Sequence, residues 1–189
     1  DAQADALLNA RASIQSEFGF KQFNLLGANL QERLIHAERF WQCCKDGDDA
    51  IGFAVDVCAA TQAQFHQALA GQLPPHSKDG ELVTTARKKA QSSGLDDLPD
   101  CLLTVPPWKI SEALQGGSPT LGACVMAFLL VSDDETLRAV AASQPSLVTD
   151  MANLITRRGH GNEPLPLPKV EIAKLRKAAL STIKILTEQ

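Results

Sequence analysis

Apolar positions along this chain recur mostly every three or four residues, the period of an α-helix with one side turned to a core. The clearest run begins at Asn29, where Leu30, Leu34, Ala37, Trp41 and Cys44 follow at that spacing, and stops at Asp46-Gly47. Asn29 is placed to cap its start. A second run over about residues 48–70 carries Ile51, Val55, Cys58, Gln62, Phe65 and Leu69 on one side. Two such helices joined by so short a turn predict an antiparallel hairpin over residues 29–70. A weaker helix over residues 3–17, with Leu7, Leu8 and Ile14, precedes it and is broken at Phe18-Gly19-Phe20. No stretch shows the strict alternation of a strand.

Beyond the hairpin, "GQLPPHSKDG" reads as a loop, and a polar helix over about residues 80–93 is closed by Gly94. Short apolar helices punctuated by Pro and Gly follow, in two groups of three. Each group opens on an Asp-Asp pair, Asp96-Asp97 and Asp133-Asp134. Each middle helix starts at proline (Pro106-Pro107 and Pro145), and each third helix has one near its start (Pro119 and Pro168). The offset of about 37 to 39 residues is a helical-solenoid period. Ser132, Asp133 or Asp134, Ser143 and Ser118 stand where caps would be needed. The most apolar run, "LGACVMAFLLV", is far too short for a membrane span of about 20 residues and predicts a helix buried on every side.

The triplet of short, medium and long helices, with "LVTDMANLI" in the middle place and "KLRKAALSTIKIL" in the last, resembles armadillo and related HEAT-type repeats over about residues 96–188. Arg176, Ala178, Ala179, Leu180, Ser181 and Ile183 fit the outline of the family's third helix. The resemblance implies an all-α fold, an armadillo-like right-handed superhelix of short packed helices, with the N-terminal helical hairpin capping or extending it. It also implies a third-helix face that binds a partner. The chain departs from the peptide-clamping members: Thr182 stands at the place of the asparagine ladder, and "LGACVMAFLLVS" has no asparagine. The reading is one all-α domain over residues 1–189, with helices to residue 94 and repeats from residue 95.

Composition narrows the function classes. The chain has 189 residues, 44% of them hydrophobic but only 5% aromatic and no tyrosine, so its core must be built from aliphatic side chains. The net charge of −4 argues against a general nucleic-acid binder, since basic runs such as Arg87-Lys88-Lys89 are offset by acids. Five cysteines (Cys43, Cys44, Cys58, Cys101 and Cys124), most within apolar helical patterns, read as reduced thiols of an intracellular protein, cytoplasmic or nuclear. The first residue is Asp1 and not Met, so a fragment is expected, with room for further repeats outside it.

Catalytic and metal chemistry finds little support in the spacing. His36, Glu38, Cys43 and Cys44 share the stretch "HAERFWQCC", but His36 and Cys43 are two turns apart, about 10 Å along a helix axis. No glycine-rich phosphate loop or nucleophile motif occurs. "GGSP" at 116–119 reads as a turn between helices, and the Pro-Leu-Pro-Leu-Pro run as a spacer or as a polyproline II ligand for a partner. Trp108 is either a core anchor or an exposed interface residue. The expected function is therefore non-catalytic protein binding without a cofactor. The expected contact face consists of Lys174, Arg176, Lys177, Ser181 and Lys184, with Trp108, meeting a protein or peptide segment of acidic character. An enzyme subunit with a buried site and a helical oligomerisation domain are the alternatives.

Overall fold

A computed structural model of the chain describes residues 2–72, 78–117, 119–158 and 163–189. The middle of the "GQLPPHSKDG" loop, the expected cap at Ser118, His76, His160 and the start of the proline-rich loop lie outside those residues. The described residues form eleven α-helices: α1 (Ala2–Phe18), α2 (Phe20–Leu25), α3 (Ala28–Cys43), α4 (Ile51–Leu69), α5 (Leu82–Ser93), α6 (Asp100–Leu103), α7 (Pro107–Leu114), α8 (Leu121–Val131), α9 (Asp134–Ser143), α10 (Leu147–Arg157) and α11 (Lys169–Thr187). One 3-10 turn, Asp79–Glu81, leads into α5. The fold is all-α; the extended pairing among these residues is a single antiparallel bridge between Asp49 and Pro166.

The helices fall into two compact units. The first comprises Asp1–Thr61 and Arg157–Gln189, the second Gln62–Thr156, so α4 contributes its first half to one and its second half to the other. The division also parts the second predicted triplet, because α9 and α10 belong to the second unit and α11 to the first.

In the first unit, α1 ends where Gly19 takes φ +81°, a left-handed conformation that glycine adopts without steric cost. The six residues of α2 follow, an element too short to leave a helical period in the sequence. Ile14 and Phe18 of α1, Phe23 of α2, Leu26, Leu30 and Leu34 of α3, Ala60 of α4, and Leu180 and Ile183 of α11 close one apolar core. The closest packing partner of α3 is α1, not α4 as the hairpin spacing predicts. Long side chains bridge α3 to α4: the Phe40 and Phe53 rings lie 5.8 Å apart, and Arg33 reaches Asp56 at 3.2 Å. Helix α3 starts at Ala28 after Gly27, and Asn29 instead accepts a hydrogen bond from Arg33 Nε.

The proline run preceding α11 is docked within this unit. The Gly47 and Ala50 N–H groups donate to the Leu167 and Leu165 carbonyls, at 3.0 and 2.9 Å. In return, the Leu165 N–H donates to Asp49 Oδ1 (2.8 Å) and the Lys169 N–H to Asp46 Oδ1 (2.7 Å). Leu167 is buried beneath the strap, and Lys169 Nζ lies 4.9 Å from the centre of the Trp41 ring. The backbone polar groups that a free polyproline ligand would offer a partner are thus used inside the chain. Pro168 then caps the start of α11, as the sequence predicts.

The second unit is built on α8, buried from Leu121 to Leu130 and surrounded by α5, α6 and α7. Gly122 permits this closeness: a Cβ there would meet Val105 Cγ2 at 3.1 Å, with Ile155 and Leu102 just beyond. Phe65 of α4 packs edge-on to Phe128, 5.5 Å between centroids. The C-terminal carbonyls of α8 are satisfied by Lys89, whose ammonium donates to Leu130 O (2.8 Å) and Ser132 O. Thr120, two residues after the expected cap at Ser118, accepts from the Ala123 N–H and caps the helix. Asp133 caps α9 as predicted, at 2.7 Å from the Thr136 N–H. Two other caps differ. Ser143 ends α9 and donates to Ala139 O, and Asp96-Asp97 do not start a helix. Asp97 takes a bidentate pair from Arg87, while Asp96 accepts from Thr149.

Candidate functional site

The outward side of α11 is set by the same period that buries its other side. Ile172, Leu175, Ala179, Ile183 and Leu186 are buried, while Val170, Lys174, Lys177, Lys184 and Glu188 face out, with Ser181 partly covered among them. Lys174 pairs with Glu171 at 2.9 Å, and Arg157 approaches the same carboxylate. Lys177 and Lys184 have no hydrogen-bond or ionic partner among the described residues. Ser181 donates to Lys177 O, so its hydroxyl is satisfied by its own helix.

Arg176 stands apart from this stripe. Its side chain is only 17% exposed; Nε donates to Glu38 Oε2 (2.6 Å) and Nη2 to Glu17 Oε2 (2.7 Å). Ser13 Oγ completes the network by donating to Glu38 Oε1 at 2.7 Å. Burial, which favours the neutral guanidine, is outweighed by the hydrogen bonds and charges of Glu38 and Glu17, and the net shift is upward. Arg176 therefore ties α11 to α1 and α3, and its expected place on the contact face is corrected to this internal one.

Trp108 belongs to the second unit, on α7, and is 62% exposed with Lys109 Nζ at 5.5 Å from its ring centre. The core-anchor alternative for Trp108 is thereby replaced by an exposed side chain. Other exposed large apolar residues are Leu8 on α1, Phe20 and Leu25 on α2, and Val170 on α11.

The stretch "HAERFWQCC" forms one wall of a cleft in the first unit. His36, Arg39, Phe40 and Cys43, at helical spacing on one side of α3, line it together with Cys44 and Asp48 from the following turn. The cleft volume is about 380 Å³. Glu38, which the sequence groups with these residues, points to the opposite side of α3 and to Arg176. Sequence reasoning missed Arg39, Phe40 and Asp48; the repeat of 36, 39/40 and 43 along one helix face was the signal available. Among the described residues, no three His, Cys, Asp or Glu side chains converge closely enough to hold a metal ion.

None of the five cysteines is in a disulfide; Cys44, Cys58 and Cys124 are buried, Cys101 is half-buried and Cys43 exposed. Burial pushes the Cys58 and Cys124 thiols up to about 12, so both remain protonated and apolar in character. No helix of the described residues is long and apolar enough to cross a membrane. The chain is thus an all-α protein of two compact helical units. Compared with protein families, curated proteins and solved structures, it matches none of them.

Proposed function

We propose that the chain is a non-catalytic protein-interaction domain whose outward α11 face receives an acidic segment of a partner protein. The observation that carries this reading is the run of Lys174, Lys177 and Lys184 along one exposed side of a helix whose other side is core, with Lys177 and Lys184 unpaired. Lys177 and Lys184, unpaired among the described residues and two helical turns apart, match carboxylates on an extended or helical peptide and steer association at low salt. Arg176 is excluded from the contact face by its internal pairs, and Ser181 contributes surface and not a free donor. Trp108, exposed on α7, is a separate candidate anchor for a partner.

The armadillo-like superhelix of residues 96–188 belongs to this proposal. Its support is that Pro106, Asp133 and Pro168 each stand at the N-cap position of a helix, as three of the predicted starts require. The division of α9, α10 and α11 between the units weighs against an uninterrupted stack of that kind. An intracellular setting, cytoplasmic or nuclear, is supported by buried thiols used as apolar core residues. A second reading, self-association, is favoured by Phe20 and Leu25, both exposed on one six-residue helix. A sedimentation experiment separates it from the first, because a dimer would weaken in Phe20→Ser/Leu25→Ser and persist in high salt.

The test of the main reading is anisotropy of a fluorescent Glu- and Asp-rich peptide titrated with the whole chain. Lys177→Glu/Lys184→Glu should weaken binding by about tenfold or more, and added salt should weaken the wild type. Equal affinity of the double variant and the wild type would sink the proposal.

A further inference from the structure

We propose that the cleft on α3 is a binding site for a small organic monocarboxylate with an apolar body, held by Arg39 against Phe40. This site is separate from the lysine stripe of α11 and does not depend on it.

The first support is the contrast among arginines. Arg33, Arg39 and Arg176 are the half-buried ones of the described residues. Arg33 has Asp56, and Arg176 has Glu38 and Glu17, whereas Arg39 has no hydrogen-bond or ionic partner among the described residues. A guanidinium offers a planar fork of donors matched to a carboxylate, and a partly desolvated one gains most from filling it. The second support is shape. At about 380 Å³ the cleft lies within the range of small-molecule sites, roughly 300–1,000 Å³.

The remaining lining selects the ligand class. The Phe40 ring is backed by Phe53, so an apolar face is held in place beside Arg39. Cys44 is buried, its Sγ donates to Trp41 O, and burial raises its pKa, which leaves an uncharged, weakly polar floor. Asp48 contributes one negative charge at the rim, its Oδ2 accepting from the Lys45 N–H. That charge disfavours a dianion such as phosphate, while a monoanion reaches Arg39 at lower repulsion. His36, exposed at the mouth, offers a further hydrogen bond, and the exposed Cys43 thiol makes occupancy measurable.

The experiment uses the whole chain and benzoate as probe, with benzyl alcohol, benzylamine and inorganic phosphate as parallel arms. Amide chemical shifts of residues 36–48 are followed by NMR, and alkylation of Cys43 by iodoacetamide is followed by peptide mass mapping. Benzoate is expected to shift these amides with half-saturation on the order of 1 mM, as befits a fragment, and to slow Cys43 alkylation about threefold. Arg39→Gln should weaken both effects about tenfold while leaving the urea midpoint unchanged, since none of the described residues pairs with Arg39. Arg39→Lys, with its single-point charge, should fall between them. The proposal is overturned if benzoate gives neither shift nor protection, or if benzyl alcohol, benzylamine or phosphate matches it. It is equally overturned if Arg39→Gln binds benzoate as the wild type does.

Discussion

Removing one member of the Arg176–Glu38 pair should unfold the first unit far more readily than removing Glu17 from the same network. The Glu38 side chain is 2% exposed and that of Arg176 17%, whereas that of Glu17 is 42% exposed. Breaking a buried pair leaves an uncompensated charge and costs about 3–5 kcal/mol, while a solvent-screened pair is worth roughly 0.2–1 kcal/mol. Glu38→Ala and Arg176→Ala should therefore each cost about 3 kcal/mol or more, and Glu17→Ala less than about 1 kcal/mol. Replacing both members by apolar residues, Glu38→Leu with Arg176→Met, should recover most of the loss, because neither charge is then stranded. Urea unfolding read by Trp41 fluorescence in a Trp108→Phe background measures the first unit, since Trp108 is exposed and lies in the second. With a slope of about 1.5 kcal/mol per molar urea, the single-variant midpoints should fall by roughly 2 M. Costs below about 1 kcal/mol for both single variants, or additive losses in the double variant, would refute the buried-pair account.

Three further outcomes follow from the packing and the strap. Phe65→Ala should destabilise the second unit by about 3–5 kcal/mol in urea unfolding followed by circular dichroism, because a fully buried ring stacked edge-on to Phe128 leaves a cavity. Gly122→Leu should cost about 1–3 kcal/mol by overpacking against Val105, Leu102 and Ile155, whereas Gly116→Ala, at φ +78° but with open space around it, strains only its own turn. Asp49→Ala should speed hydrogen exchange at the Leu165 and Ile51 N–H groups, both of which donate to its carboxylate. Those two bonds hold Asp49 below the usual carboxylate range, so the contribution is complete above the unfolded-state value of about 3.9 and is lost as pH falls through the lower folded value. Exchange at Leu165 that is unchanged in the variant would count against the strap.

What the sequence makes legible here is whatever one element decides by itself. Helix α8 is apolar on every side, so its burial follows without knowing its neighbours, and Gly94 and Pro168 mark helix ends by backbone constraints of their own. Partner choice is different in kind. Asp97 and Asp133 are alike as sequence signals, yet Asp97 meets Arg87 and Asp133 meets a helix N-terminus. The Leu-Pro run reads only as a spacer or a ligand because the acceptors that hold it, Asp49 and Asp46, are 116 and 123 residues away from the N–H groups they take. Helix α2 was missed for a simpler reason, since six residues are fewer than two turns.

The α11 face shows where periodicity was sufficient and was not followed far enough. Positions 170, 174, 177, 181, 184 and 188 step by four and three, and they trace the side turned away from the core. Arg176 lies four residues after Ile172 and three before Ala179, on the flank of the buried side, by the same arithmetic. A basic residue at such a position needs acids facing it from other helices, and Glu38 and Glu17 supply them from α3 and α1. Arg39 obeys the same geometry on α3, half-buried at a flank, but among the described residues no acid pairs with it, and Asp48 only shares its cleft. Two arginines of like placement thus differ in whether the chain answers their charge. Where it does, the residue holds helices together; where it does not, the guanidinium is left for a ligand.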